Sequence, residues 1–124
     1  MPNAPQFATN QDPGLVLSKA AVRAALALGL SQGDLATVIG VSPATVSRMK
    51  EGGLALSGKP FALAACLVRV FRSLDAIVGG DRTAMQAWMK NPNTDLNAIP
   101  RETLRDVAGL VGVMSYLDAR RAPL

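Results

Sequence analysis

The sequence contains no histidine. That absence removes the commonest general base, the Ser-His and Cys-His nucleophile pairs, and most zinc sites. No GxxxxGK segment cradles a phosphate, and the carboxylates are scattered rather than paired in a glycine-framed motif. An enzymatic role therefore has no candidate constellation, and neither a cofactor nor a metal is expected. Cysteine is nearly absent as well. The single Cys66 cannot form an intrachain disulfide, and its neighbours Ala64, Ala65, Leu67 and Val68 make it read as a small core hydrophobe. The N-terminus lacks the basic and apolar regions of a signal peptide, and no apolar run is long and continuous enough to span a bilayer. A cytoplasmic protein without a membrane segment is expected.

What is present is material for a helical core. Of 124 residues, 49% are apolar and 18% charged, a balance compatible with one domain or two small modules sharing a core. The net charge of +4 favours polyanionic partners weakly, and it divides evenly about Lys59, so neither half is a basic arm.

Residues 1–14 mix Pro, Asn, Gln and Gly and read as a flexible tail. Leu15 to Gly29 is rich in Ala and Leu and predicts a helix that ends at the glycine. Ser31 and Asp34 form a Ser-x-x-Asp start for a second, short helix reaching about Ile39, where Gly40 breaks it. Ser42-Pro43 opens a third, to about Glu51, followed by the glycine-rich loop 52–60.

A fourth helix runs from Pro60 to about Val78. Leu63, Leu67, Val70, Leu74 and Ile77 form a stripe on it, and Phe61, Ala65 and Val68 add a second apolar side. A helix apolar on most of its circumference is either central to the core or shared with a second copy, and the pattern leaves both open. Asp81 caps a fifth helix to about Lys90, with Ala84, Met85, Trp88 and Met89 inward, and Asn91-Pro92-Asn93 stops it. Pro100 opens a final helical region through Arg120, with a break expected near Gly109 and Gly112. No stretch alternates with period 2, so the fold is expected to be all-α.

Two helices crossing steeply need a small residue at the crossing, a turn residue, and apolar positions that hold the angle. From Gln32 to Gly52, Ala36 supplies the first and Gly40 the second, while Leu35, Ile39, Val41, Val46 and Met49 supply the core. The segment LSQGDLATVIGVSPATVSRMKEG resembles the Xre/Cro family of helix-turn-helix proteins. Pro43, Ala44, Thr45, Ser47 and Arg48 remain outward, with Lys50 just beyond. On a helix lying in the major groove, Thr45 and Ser47 can exchange hydrogen bonds with base edges, Ala44 can touch a thymine methyl, and Arg48 can bond guanine or phosphate. Gln32 and Ser42, at helix starts, suit phosphates. One such module makes few base contacts, so a homodimer is expected, joined through the fourth helix or the C-terminal region.

The run AWMKNPNTDLNAIPRETLRDVAGLVGVMSYL resembles the C-terminal domain of Xre/MbcA/ParS antitoxins, through Trp88-Met89, Asn91-Pro92-Asn93, Leu96, Pro100, Leu104, Gly109, Val113 and Leu117. Trp88 is expected to pack behind the Pro100 turn. The resemblance implies an antitoxin that neutralises a RES-domain, NAD-consuming toxin and represses the shared operon by binding double-stranded operator DNA. Tyr116, Arg120, Arg121 and Leu124 are then the candidate toxin contacts. The domain plan is tail (1–14), helix-turn-helix domain (15–59), connecting or dimerisation helix (60–80) and C-terminal toxin-binding domain (81–124). The alternative is a stand-alone dimeric regulator of phage or plasmid type, whose C-terminal unit serves only to dimerise.

Overall fold

The computed structural model describes residues 12–121. Among them lie seven helices: α1 Pro13–Leu28, α2 Gln32–Ile39, α3 Pro43–Lys50, α4 Gly58–Ile77, α5 Arg82–Lys90, α6 Pro100–Thr103 and α7 Val107–Arg121. The all-α helix-turn-helix bundle with a small C-terminal helical domain is what the sequence predicts.

The helix starts follow their capping chemistry. The expected tail lies outside the described residues up to position 11, but its last residues belong to α1. Asp12 accepts from the amides of Gly14 (2.7 Å) and Leu15 (3.2 Å), and Pro13 occupies the first turn, where its missing N–H costs nothing. Gly14 is buried, and a Cβ there would overlap the Leu56 carbonyl oxygen, so the start of α1 packs directly on the loop before α4. Ser31 and Asp34 form the expected capping box on α2. The left-handed Gly29 (φ 80°) and Gly40 (φ 75°) end α1 and α2, with Leu30 and Val41 bonding back to the carbonyls of Ala25 and Ala36.

The final helical region breaks at Leu104–Asp106 instead of near Gly109 and Gly112, and α7 runs straight through both glycines. The cause is Asp106. Its carboxylate accepts from the Gly109 amide (2.7 Å) and its carbonyl from the Leu110 amide (2.9 Å), which restarts the helix. Gly109 is needed for proximity, because a Cβ there would overlap the Thr103 carbonyl of α6. Asn93 and Ala98 pair through both backbone groups, closing the loop between α5 and α6 with Asn97 at φ 53°.

α4 is the spine. It packs against α1, α2 and α7, and it buries Ala64, Leu67, Val68, Val70, Ser73 and Leu74. The stripe read from the sequence is therefore core at its centre, while Ala65 and Ile77 remain exposed and Phe61 and Leu63 are half-buried. Cys66 is half-buried against the same cluster. Met85, Met89, Leu104, Leu110, Val113 and Leu117 from the C-terminal helices join Leu28, Ile39, Val46 and Met49 in one continuous core. Burying a side chain of this size contributes roughly 1.5–3 kcal/mol. Because their buried side chains form one cluster, the helix-turn-helix and the C-terminal helices share that stabilisation.

Candidate nucleic-acid interface and partner-binding domain

The angle between α2 and α3 is held by Leu35, Ala36, Ile39, Val46 and Met49, all buried as expected, with Val41 half-buried between them. With Val46 and Met49 committed to the core, α3 turns Pro43, Ala44, Ser47, Arg48 and Lys50 to solvent, and Thr45 is half-buried. Ser42 is occupied as the cap of α3. Its hydroxyl accepts from the Thr45 amide at 3.1 Å and shares a hydrogen bond with the Thr45 hydroxyl at 3.0 Å, while Arg48 reaches that same hydroxyl at 3.5 Å. Thr45 thus links the cap to the arginine, an arrangement that aims Arg48 along the exposed face of α3. Gln32 is exposed at the start of α2 and, with Ser47, Lys50 and Glu51, lines a shallow hollow of about 300 Å³. Arg48 and Lys50 occupy the last turn of α3, where the helix dipole favours cations. The face can donate to phosphates at Gln32 and Lys50 and to base edges through Ser47 and Arg48.

One feature of α2 was not legible in the sequence. Asp34, the acid of the capping box, is 11% exposed at its side chain and accepts from the Ser31 amide at 2.9 Å. It also receives Arg101 at 3.1 Å and Arg105 at 3.4 Å. Burial opposes its ionisation, but the Ser31 amide and hydroxyl, and after them the Arg101 guanidinium, outweigh burial and hold the carboxyl below its ordinary range. A residue that reads locally as a cap is also the joint between the two halves.

In the C-terminal helices, Trp88 stacks on Tyr116 of α7, with ring centroids 6.5 Å apart and planes at 18°. The Tyr116 hydroxyl donates to Asp95 at 2.6 Å, and Arg120 lies 5.4 Å above the Tyr116 ring while approaching Asp95 at 3.7 Å. The Asp95 hydrogen bond, reinforced by burial, raises the phenol above its ordinary pKa. Arg121 turns the other way. It donates to the buried Ser73 hydroxyl (3.3 Å), which itself donates to Asp118 (2.8 Å), and Asp118 also pairs with Arg69 of α4 (2.7 Å). Tyr116, Arg120 and Arg121 are thus brought to the end of α7 but into two separate sets of intramolecular contacts, that of Tyr116 and Arg120 exposed, and Leu124 lies outside the described residues.

No helix among the described residues is long and apolar enough to cross a membrane. No curated protein matches the chain. Two family models do: residues 10–69 match the antitoxin Xre-like helix-turn-helix domain, and residues 73–122 match the antitoxin Xre/MbcA/ParS C-terminal toxin-binding domain. The two matches meet inside α4, the helix around which both halves pack. The chain belongs to the Xre-type antitoxins, with a helix-turn-helix domain followed by a toxin-binding domain.

Proposed function

We propose that this antitoxin neutralises a RES-domain, NAD-consuming toxin and represses its own operon by binding operator DNA as a homodimer. The observation that carries the reading is the union, on one core, of an exposed α3 face bearing Ser47, Arg48 and Lys50 with a domain of the toxin-binding family. In this reading α3 enters the major groove. Pro43, Ala44, Thr45, Ser47 and Arg48 lie along base edges and the sugar-phosphate rim, and Gln32, Ser42 and Lys50 face phosphates. Dimerisation places two such faces on half-sites about 34 Å apart. The end of α7, with Tyr116, Arg120 and Arg121, faces the toxin, and Leu124 extends that contact.

Co-expression tests the reading directly. The protein encoded beside this chain should arrest growth and deplete NAD when expressed alone, and both effects should disappear when this chain is supplied. Purified antitoxin should retard a duplex carrying its own promoter, with affinity falling tenfold or more over about a fourfold rise in salt. A neighbour that leaves NAD unchanged would overturn the RES assignment, and indifference to the promoter would overturn autorepression.

A further inference from the structure

Lys90 at the end of α5, with Ile99, Arg101, Glu102 and Arg105 around α6, lines an open cleft of about 390 Å³. Three cations and Glu102 line it, and the Asp34 carboxylate already engages two of the cations. These two reach into the helix-turn-helix: Arg101 and Arg105 meet the Asp34 carboxylate, and Arg101 shares Oδ2 of that carboxylate with the Ser31 amide. Two of the cleft's cations are therefore held against the first turn of α2. Each contact with Asp34 uses a single Nη2 atom, and a guanidinium carries five N–H donors, so both arginines keep donors for another anion. Arg105 is 62% exposed at its side chain, and Lys90 is exposed.

We propose that this cleft binds the DNA sugar-phosphate backbone flanking the segment read by α3, so that the toxin-binding domain supplies part of the operator contact. The proposal rests on the helix-turn-helix reading above. In that docking geometry α2 crosses the phosphate backbone while α3 occupies the groove. Gly33, exposed in the chain next to Asp34, would present a Cβ to nothing nearer than the Ser31 hydroxyl at 3.7 Å, so backbone can approach backbone closely there. Through Asp34 the cations of the cleft are joined to the helix that begins with Gln32, so they bring charge from a second domain to that helix. Such contacts carry no base preference. They add affinity and salt dependence, and they lengthen the footprint.

The test is fluorescence anisotropy of the full chain on two labelled duplexes of equal length, one carrying the promoter of its own gene and one of mixed sequence, across a salt series. The double variant Lys90→Ala/Arg105→Ala leaves Arg101 on Asp34 and alters only exposed side chains, and its urea midpoint checks the fold. Its plot of log affinity against log salt should be shallower by about 2 on both duplexes, while Lys90→Arg/Arg105→Lys keeps the wild-type slope. An unchanged slope in the alanine variant, with salt-dependent wild-type binding, overturns the cleft and leaves the helix-turn-helix reading standing. Wild-type protein that binds neither duplex overturns that reading and the cleft with it. An unchanged slope together with lost co-purification of the neighbouring gene's product also overturns the proposal, assigning the cleft to a protein partner.

Discussion

Asp34 and Arg101 are 67 positions apart in the chain and 3.1 Å apart at their charged ends. The pair ties the first helix of the DNA-binding motif to the short α6 turn of the toxin-binding domain, so neither element can shift without disturbing the other. Breaking a largely buried pair leaves a charge without compensation, which makes the contact a mechanical link more than a source of net stability.

Asp34→Asn should therefore lower stability by about 1–3 kcal/mol, since it weakens a capping box and strips two arginines of their counter-ion. The pH dependence has a definite sign. The folded-state pKa lies below the ordinary value of 3.8. The unfolded chain thus takes up the proton first, and the stabilisation is fully present above the unfolded value and lost as pH falls through the folded one. Urea midpoints of wild type and variant should differ at neutral pH and converge in acid below that range. A gap that stays constant with pH would show that Asp34 carries no ionic role.

Tyr116 is the single tyrosine and Trp88 the single tryptophan, so optical signals report on their stack without ambiguity. Tyrosinate absorbance should rise at higher pH in the folded protein than in urea, because Asp95 holds the phenolic proton. Asp95→Asn should move the titration back toward 10.0. The sign is opposite to that of Asp34: this contribution is present below the unfolded pKa and lost as pH rises through the folded one. Coincident titrations in wild type and Asp95→Asn would remove Asp95 as the cause.

Gly109 and Gly112 look alike in the sequence and should respond oppositely to alanine. At Gly109 the new methyl meets the Thr103 carbonyl, backbone that cannot yield cheaply, and a loss of about 1–3 kcal/mol follows. At Gly112 no atom lies within 4 Å of the added Cβ, and removing a mid-helix glycine should stabilise by up to about 1 kcal/mol. Thermal melts of the two variants decide it, and a shift of the same sign in both would refute the packing argument.

These cases show where the sequence was readable. Local rules placed the caps Ser31, Ser42 and Asp81, the turn glycines Gly29 and Gly40, and the buried Leu35, Ala36, Ile39, Val46 and Met49, because each follows from neighbours within one or two turns. The break before α7 was misplaced because a glycine signals flexibility whether its freedom is used for a turn or for close approach. Asp34 was legible as a cap and illegible as a joint, since nothing near it in the chain announces Arg101 or Arg105. Arg121 reads as a candidate partner contact, and only the fold brings Ser73 beneath it.

Arg48 and Lys50 separate base reading from charge in the proposed interface. Arg48 extends from Thr45 along the exposed face of α3, so Arg48→Ala should cost about 1–3 kcal/mol on the operator and relax preference at one base position. Lys50→Ala should weaken operator and mixed-sequence duplexes alike and reduce the salt slope by about 1. Competition binding with single-base operator variants distinguishes the two. A uniform loss in the arginine variant would move Arg48 to the phosphates.

The end of α7 sets how a toxin contact can be tested without damaging the fold. Deleting residues 118–124 removes Asp118, which accepts from Ser73, and Arg121, which donates to it, leaving a fully buried hydroxyl with neither partner. That deletion should cost stability and affect DNA and toxin binding together, at about 1–3 kcal/mol for the orphaned group. Deleting only residues 122–124 spares every one of those bonds. If Leu124 and its neighbours touch the toxin, the shorter deletion should weaken toxin binding while the urea midpoint and promoter affinity stay at wild-type values. Retained neutralisation would confine the contact to the Tyr116 and Arg120 face of α7, where Tyr116→Ala is the next variant to measure.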